Sequence, residues 1–594
     1  MTNVLLITPS NVPFKHTLEW LVTSDEQSNT ANNDFDAAYI KRKLDPKYPV
    51  GNLCIGAYIK KLHSDTNVDI LDYNIVNLSY LFSDEDKNFT DFMNYGIKLI
   101  SEKNKNFQTP DIIGISSLFS STYIDMKATI DHFSNLYPEA TIVAGGHLAS
   151  SMNKDFLREF DGLDAVCYGE GEVPFEKLVE AHKQGDVAKY LHKDASWITS
   201  RKLATLMFEP SNTLLDDLDE IPPYELEMLL QYEEYFNSND DVFSLGVDRT
   251  DNSKDLVMFA TRGCPFRCIF CASQFVHGHK VRKYSMKRIQ EDIHYYNKKY
   301  GITSFPFLDD HFLADKKFAV ELMDFVADQG FSCRIFNLNY MHINEDIIRA
   351  LIRTGSDRAL ITIDGLNQDF LRKVVRKPSS FKTARKVIQM FRNEGLVVLN
   401  NIIIGYPGET PEDIAKGVED MRTMGANWHS ILTAIPLPGS ELHQICEDNN
   451  FLPDDESAFA IDYHTAVIST NDFSADWIKT KSYEINLDLN FVNNYDMSIG
   501  NYETALTLFE RLLEKVIDTH AFAFYFAAIC AKKLGDENKY DTYQKKYEEM
   551  VNKYSLWQNW AKHFDLQPLE TVIMNNNFHP REYIHTNTGS ETFV

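Results

Sequence analysis

Residues 1 to about 170 alternate short apolar runs with longer stretches in which apolar and polar residues recur at helical spacing. The short runs are rich in valine, isoleucine and leucine and predict strands, while the longer stretches predict amphipathic helices. A chain that alternates strands with helices forms a parallel sheet covered by helices. The predicted strands are residues 3–8, 68–71, 112–116, 141–144 and 165–168, and the predicted helices include 53–62 and 123–137.

A second alternation of strands and helices runs from about residue 251 to about residue 470. The predicted strands are 257–260, 304–308, 334–338, 359–363, 397–404 and 430–434, and the predicted helices are 317–329, 344–354, 381–394 and 411–424. This periodicity predicts a partial (β/α)6 barrel of the TIM type. In such barrels the working residues lie at the carboxyl ends of the strands.

Two further regions follow neither alternation. Between the first and the second alternating region, an acidic run and the proline pair Pro222-Pro223 stop regular structure and predict a connector. After about residue 475 the pattern is helical only and rich in aromatic residues. We therefore predict an α/β protein in four parts, which are a doubly wound, Rossmann-like domain (1–185), a connector (186–250), a barrel (251–470) and an all-α domain (471–594).

Composition narrows the class of protein. A chain of 594 residues is too long for one core, and about three or four domains are expected. The net charge of -27 leaves no basic surplus to neutralise phosphates, which argues against a nucleic-acid partner. The chain starts without a basic n-region and contains no run of about 18 apolar residues, so we expect neither secretion nor a membrane span. A cytoplasmic protein is the expectation.

Three of the eight cysteines lie close together, at Cys264, Cys268 and Cys271. In a reducing compartment such clustering indicates metal ligation rather than disulfides. Three thiolates at this spacing can bind three corners of a cubane iron–sulfur cluster and leave one iron open. The alternative is a tetrahedral zinc site in which His277 and His279 join two of the cysteines, although the intervening loop is shorter than usual for zinc fingers.

Glycines stand where the strands of the first domain end, at Gly114, at Gly145-Gly146 and at Gly169-Glu170-Gly171-Glu172. In a doubly wound sheet these carboxyl ends form the ligand crevice, where glycine lets the backbone approach a bulky ligand. Each glycine taken alone could instead form a tight turn. Their repetition at successive strand ends favours a ligand site.

This first region resembles the cobalamin (B12)-binding domain that precedes many radical S-adenosylmethionine (SAM) domains. The resemblance covers roughly residues 1–185 and rests on the segments 48–51, 113–117, 143–147 and 168–172. It implies a cobalamin site at Ser116, Ser117, Gly145, Gly146, His147, Gly169, Glu170, Gly171 and Glu172. No Asp-x-His-x-x-Gly sequence occurs, so the resemblance implies cobalamin held without a histidine ligand to cobalt.

The loop 261–271 and the region after it resemble the radical SAM family, whose Cys-x3-Cys-x2-Cys signature is matched in full, including an aromatic residue before the last cysteine. The resemblance implies that a [4Fe-4S] cluster on the three cysteines binds SAM through its open iron. It implies SAM contacts from Phe270, Asp309, Asp310, Asp364, Gly405 and Gly408. Two departures are aspartate at Asp364, where relatives usually carry glutamate, and Asn401 in place of a glycine. Each carboxylate could alternatively be a helix N-cap.

The helical end of the chain resembles one tetratricopeptide helix pair with part of a second, built on residues 500–509 and 521–534. Three repeats are normally needed for an independent solenoid, so a cap on the barrel is expected. An aromatic stripe in the second helix is expected to be core rather than binding surface, and it consists of Phe522, Phe524, Tyr525 and Phe526.

The two resemblances together imply a reaction class. A reductant such as flavodoxin or ferredoxin feeds the cluster, SAM is cleaved, and the 5'-deoxyadenosyl radical takes hydrogen from an unactivated carbon. We expect transfer of a methyl group from methylcobalamin to a small-molecule or peptide substrate. The alternative is oxidative ring closure or rearrangement without methyl transfer, since relatives of the same architecture perform both. The sequence does not name the substrate.

Overall fold

The computed structural model describes residues 1–18, 48–205, 208–237, 254–336, 338–454, 459 and 464–574. The chain forms two compact units. Unit 1 consists of Met1–Asn239, Asn252–Phe336 and Pro436–Ile461, and unit 2 consists of Asp240–Asp251, Asn337–Ile435 and Asp462–Val594. Among the described residues no helix is long and apolar enough to cross a membrane.

Unit 1 begins with a six-stranded sheet in the order β2-β1-β3-β4-β5-β6. The first five strands are parallel and β6 runs antiparallel to β5. Such a sheet is covered on both faces, which explains the continuous apolar runs of its strands. The strands are β1 (Thr2–Thr8), β2 (Thr66–Asp72), β3 (Ile112–Ser116), β4 (Thr141–Gly145), β5 (Ala165–Cys167) and β6 (Trp197–Ile198).

Helices connect these strands and cover the sheet, as the first alternation predicted. They are Val50–Leu62, Tyr73–Leu81, Phe89–Lys103, Tyr123–Leu136, His147–Ser151, Asn153–Glu159, Glu172–Gln184, Val187–Lys193 and Ser200–Leu203. The strand order reverses direction between β1 and β3, because β2 lies on one side of β1 and all later strands lie on the other. In a doubly wound sheet this switch point marks the ligand crevice.

The rest of unit 1 holds the cysteine motif. The antiparallel pair β7 (Thr261–Arg262) and β8 (Arg282–Lys283) closes the loop that carries the three cysteines. Parallel bridges join Met258 to Phe307 and Phe307 to Ile335. The helices of this part are Gln274–His277, Met286–Tyr300, Lys316–Asp328 and Glu441–Asp448.

Two predicted strands of this region, 257–260 and 304–308, are reduced to isolated bridging positions, and the prediction of full strands was wrong there. In the predicted strand 334–338, Ile335 and Leu338 form bridges, and residue 337 lies outside the described residues. Two causes are visible. Pro306 has no N–H to donate to a ladder. The backbone N–H of Ala260 donates to the side chain of Asp309 instead of to a neighbouring strand.

Unit 2 contains a parallel three-stranded sheet, formed by β9 (Arg358–Thr362), β10 (Val397–Ile404) and β11 (Trp428–Thr433), with β10 in the centre. Asn401 of β10 pairs with Thr362 of β9 and Ser430 of β11. Three helices of unit 2 follow the prediction closely, namely Glu345–Arg353 before β9, Phe381–Asn393 between β9 and β10, and Pro411–Arg422 between β10 and β11. The short helix Gln368–Lys373 was not predicted.

The end of the described chain is helical, as predicted. Its helices are Ala475–Leu487, Tyr495–Ser498, Tyr502–Lys515, Ala521–Leu534, Glu537–Lys553, Ser555–His563 and Leu569–Met574. The helix Ala521–Leu534 is buried over most of its length, and its aromatic stripe is core. Leu399 and Trp428 of the sheet belong to the same cluster of buried apolar residues, so these helices pack directly on β10 and β11. The tetratricopeptide resemblance stays a prediction.

Candidate active site

The three motif cysteines differ from the other five cysteines in exposure. Cys264, Cys268 and Cys271 are half-buried, whereas the others are fully buried, and all eight lie in the described part of the chain. Burial raises the pKa of the Cys54 and Cys446 thiols to about 12, which keeps them protonated. Thiolates are the form that binds metal, so the motif supplies the accessible soft donors of the chain.

The cysteine loop has a fixed backbone on both sides of its first cysteine. Gly263 has φ +93°, and a Cβ atom there would lie 2.5 Å from the carbonyl oxygen of Lys280. The next N–H, that of Cys264, donates to the carbonyl of Gly278 (3.3 Å). Further along, the carbonyl of Ile269 accepts a hydrogen bond from the N–H of Leu442 (2.9 Å). Glycine is therefore required at position 263, where the two arms of the loop touch.

The side chains of Asp309 and Asp310 bond to the backbone at the start of this loop. Asp309 accepts hydrogen bonds from the N–H of Ala260 (3.0 Å) and from both the N–H and the hydroxyl of Thr261, the hydroxyl at 2.7 Å. Burial raises the pKa of Asp309 to about 7 despite these bonds. Asp310 accepts from the N–H of Gly263 (2.9 Å). Neither carboxylate caps a helix, and both support the backbone that leads into the cysteines.

The zinc alternative gains no support from the histidines. Nδ1 of His277 lies 2.9 Å from a carboxylate oxygen of Glu170, an interaction within the protein. Over the described ranges, no group of three or more His, Cys, Asp and Glu side chains is placed to hold a single metal ion. A cubane cluster does not require the three thiolates to converge on one ion, since each thiolate binds a different iron. The donor set, three accessible thiols within one short loop, fits such a cluster.

The two glutamates of the Gly169–Glu172 segment are buried in ion pairs with arginines that flank the cysteine loop. Arg282 donates to both carboxylate oxygens of Glu170 (2.9 and 2.6 Å), and Arg262 donates to Glu172 (2.8 Å). Burial by itself would raise the pKa of Glu170, but Arg282, His277 and Arg262 hold it at about 2. Both carboxylates are thus bound to arginine within the protein. Their assignment to cobalamin, which the resemblance implied, stays a prediction.

Glycines in this segment make room for protein side chains. Gly169 has φ +84°, and a Cβ atom there would overlap the Asn212 side chain at 2.1 Å. A Cβ atom at Gly171 would lie 2.7 Å from Ile55, and one at Gly114 would lie 2.6 Å from Phe175. At these three positions glycine permits close packing within the protein. The same holds at Gly146, which has φ +92° and where a Cβ atom would lie 2.6 Å from the carbonyl oxygen of Ser117. Only at Gly145, where a Cβ atom would lie 3.6 Å from Cys167, does the packing of the protein not explain the glycine.

The carboxyl ends of β3 and β4 carry half-buried polar groups and glycines. Ser116, Gly145 and Gly146 are half-buried there, while Ser117 is buried and shares a hydrogen bond with the Thr122 hydroxyl (2.7 Å). The loop continues into two exposed apolar residues, Leu118 and Phe119. Exposed apolar side chains beside half-buried polar groups and glycines suit a large cofactor such as a corrin.

His147 is neutral and already engaged. Burial lowers its pKa to about 4, and its ring hydrogen bonds the Leu118 backbone. Its Nε2 atom lies 3.3 Å from the Ser151 hydroxyl. A histidine held in this way is a structural residue of the crevice, which agrees with the absence of a sequence motif for a cobalt ligand.

In unit 2, Asp364 has a left-handed backbone with φ +61°, which is uncommon for a residue other than glycine. Its carboxylate pairs with the ammonium group of Lys377, which also donates to the Thr362 hydroxyl (3.2 Å). The helix that follows is capped by Asn367 and not by Asp364. Strained backbone of this kind clusters at functional sites. Lys377 was missed by the sequence analysis because nothing in its local pattern marks a buried lysine.

The turn after β10 lies beside Asp364. The Tyr406 hydroxyl donates to the backbone carbonyl of Asp364 (3.4 Å). Within the turn, Glu409 accepts from the N–H groups of Gly405 (2.8 Å) and Tyr406 (2.9 Å), and burial raises its pKa to about 7. Gly405 and Gly408 both have positive φ. Among the expected SAM contacts, those of unit 2, namely Asp364, Gly405 and Gly408, therefore lie together around one turn.

Comparisons with known proteins place two family models on this chain. Residues 258–421 match the radical SAM superfamily, and residues 48–179 match the B12 binding domain. The first match begins just before the cysteine loop and includes Asp364 and the turn 405–409. The second includes β2 to β5 and the Gly169–Glu172 segment.

Similar proteins are known from several organisms. An uncharacterized methyltransferase of Pyrococcus horikoshii is 27% identical over 350 residues, which cover 58% of this chain and 71% of that protein. The cytidylyl-2-hydroxyethylphosphonate methyltransferase of Streptomyces wedmorensis is 25% identical, with 71% and 82% covered. The structure of the radical SAM methyltransferase TsrM from Kitasatospora setae, with cobalamin and a [4Fe-4S] cluster bound, is similar in fold (TM-score 0.56, 12% identity, 93% of this chain and 100% of that chain).

Proposed function

We propose that this chain, which joins a B12-binding domain to a radical SAM domain, is a cobalamin-dependent methyltransferase that acts on an unactivated carbon. The observation that carries the proposal is the presence of both domains in one chain. Both the Streptomyces and the Pyrococcus relatives are methyltransferases by name. A radical SAM domain uses a [4Fe-4S] cluster and SAM, and a B12-binding domain uses cobalamin.

Each cofactor is assigned to a set of residues. We assign the cluster to Cys264, Cys268 and Cys271 and cobalamin to the carboxyl ends of β3 and β4. When bound, the cluster and SAM supply the 5'-deoxyadenosyl radical, and cobalamin carries the methyl group.

The chain's own residues hold the site in place. Asp309 and Asp310 hydrogen bond to the backbone that leads into the three cysteines. Asp364 offers a carboxylate beside the turn 405–409, where it can accept hydrogen bonds from SAM.

The proposal includes partners of stated chemistry. The substrate is a small molecule or a peptide with an unactivated carbon, and a low-potential reductant such as flavodoxin or ferredoxin supplies electrons. We propose no nucleic-acid partner, since the net charge of -27 repels phosphate.

Product analysis tests the proposal. The chain is produced with ample cobalamin, purified without oxygen, reconstituted with iron and sulfide, and incubated with SAM and titanium(III) citrate. A bound corrinoid together with S-adenosylhomocysteine supports methyl transfer. Deoxyadenosine without S-adenosylhomocysteine supports the alternative, a radical SAM cyclase or rearrangement enzyme. A protein that retains no corrinoid overturns the proposal.

A further inference from the structure

The mechanism above leaves one buried group of charges unused, namely the ion pairs between the Gly169–Glu172 segment and the arginines beside the cysteine loop. We propose that Glu170, Glu172, Arg262 and Arg282, together called the latch, fix the cysteine loop against the B12-binding domain. The latch is thereby a positioning device for the two cofactor sites, an inference that rests on the proposed function. All four residues belong to unit 1.

The latch connects two parts of the chain that are distant in sequence. Arg262 lies two residues before Cys264, and Arg282 lies in β8, where the loop returns. Their partners follow β5 of the first sheet, 90 residues from Arg262 and 112 residues from Arg282 along the chain. Both ends of the cysteine loop are therefore bound to the segment after β5. This strand belongs to the same sheet as β3 and β4, whose carboxyl ends we assign to cobalamin.

The geometry and burial of the latch exceed those of an ordinary surface ion pair. The bidentate contact of Arg282 with Glu170 fixes both distance and orientation. Side-chain exposure is 1% for Arg282 and 2% for Glu170, so water cannot replace either partner. Removal of one member leaves a buried, uncompensated charge, which is strongly unfavourable.

Hydrogen bonds to the backbone reinforce the same connection. Asn212 accepts a hydrogen bond from the N–H of Glu170 (3.0 Å) and donates to the carbonyl of Val276 (2.7 Å). Arg282 also donates to the carbonyls of Leu215 (2.7 Å) and His277 (3.1 Å). These bonds hold the short helix Gln274–His277, which follows the third cysteine, against the end of β5. The segment after the cysteines is thus fixed by the same group of side chains.

Hydrogen exchange on the full-length chain tests the latch without any cofactor. In Glu170→Gln and in Arg282→Lys, we expect amides of residues 261–283 to exchange at least about tenfold faster, because a lost or weakened ion pair permits local opening. Lysine keeps the charge but cannot form the bidentate contact. Amides of Ile112–Ser116 should keep their exchange rates, which shows that the domain is folded. Unchanged exchange over residues 261–283 in both variants would overturn the proposal.

Glu180→Gln is the matched control. It removes the same charge from the exposed face of the helix Glu172–Gln184. The Glu180 carboxylate accepts a hydrogen bond from the side chain of Gln184, on the same helix. We expect exchange over residues 261–283 to remain at the wild-type rate. Faster exchange there in Glu180→Gln would mean that charge loss anywhere on this helix loosens the loop, and the latch would carry no specific role.

A second measurement separates positioning from general stability. Transfer of the methyl group of SAM to reduced cobalamin yields S-adenosylhomocysteine, and it needs both cofactors at the correct separation. In reconstituted Arg282→Lys we expect the yield of S-adenosylhomocysteine to fall by about tenfold or more, with bound iron and bound cobalamin unchanged. Retention of the wild-type yield alongside a loosened loop would overturn the positioning role. If the wild-type protein itself forms none, the proposed function fails and the exchange result still decides the latch.

Discussion

The carboxylate of Asp364 lies against the ammonium group of Lys377, and both side chains are buried. This pair changes what substitution of Asp364 should do. Asp364→Ala leaves Lys377 buried and unpaired, which we expect to cost about 3 kcal/mol of stability. Asp364→Asn combined with Lys377→Met removes both charges and should cost much less.

SAM affinity separates the role of Asp364 from its structural pairing. In the double variant we expect the SAM dissociation constant to rise by about five- to tenfold, because the asparagine amide accepts a neutral hydrogen bond in place of a charge-assisted one, a difference of about 1 kcal/mol. Titration of SAM into reconstituted wild type and double variant, with a thermal melt of each, measures both quantities. Unchanged affinity in a well-folded double variant would remove Asp364 from the SAM site.

Cobalamin binding should not depend on His147. Its ring is neutral and hydrogen bonded within the protein, so we expect His147→Ala to retain corrinoid absorbance at the wild-type stoichiometry. The comparison requires both proteins to be purified after growth with the same cobalamin supply. A corrinoid lost from His147→Ala but kept by a Ser151→Ala control would make this histidine a ligand.

Glu409 should make stability depend on pH. Its folded pKa is raised by burial from 4.5 to about 7, so the folded state binds the proton more tightly than the unfolded state. Stability from this group is therefore full below about pH 4.5 and is lost as the pH rises through 7, by about 3 kcal/mol in total.

Melting curves at pH 5 and pH 7.5 measure this effect. In Glu409→Gln the amide oxygen can still accept from Gly405 and Tyr406, and no proton is exchanged. We expect the melting temperature of wild type to fall more between the two pH values than that of Glu409→Gln. Equal falls in both proteins would show that Glu409 does not titrate in this range.

Much of the fold could be predicted from local pattern. The strand prediction for residues 397–404 coincides with β10, and the prediction for 112–116 coincides with β3, because both are runs of β-branched residues between clear turn signals. The predictions failed where the ladder is broken by a single side chain or by a proline. Asp309 and Pro306 interrupt the expected strands 257–260 and 304–308, and neither effect is visible in hydrophobic pattern alone.

Of the candidate site, only the residues that belong to a recognisable motif could be predicted from the sequence. The cysteine triplet carries its chemistry in its spacing. By contrast, the partners of Glu170 and Lys377 are set by tertiary contacts. Arg282 meets Glu170 across 112 residues of chain, and no local signal announces such a pairing. The left-handed backbone at Asp364 was equally hidden, since aspartate gives little indication of its own φ angle.

The most direct test of the account is the iron content and SAM cleavage of Cys268→Ala beside wild type and Cys530→Ala. Cys530 is buried in the helical region and serves as the matched control. We expect about four irons per chain and reductant-dependent deoxyadenosine from wild type and the control. Cys268→Ala should lose both. A wild-type protein that contains zinc instead of iron and does not respond to reductant would contradict the account.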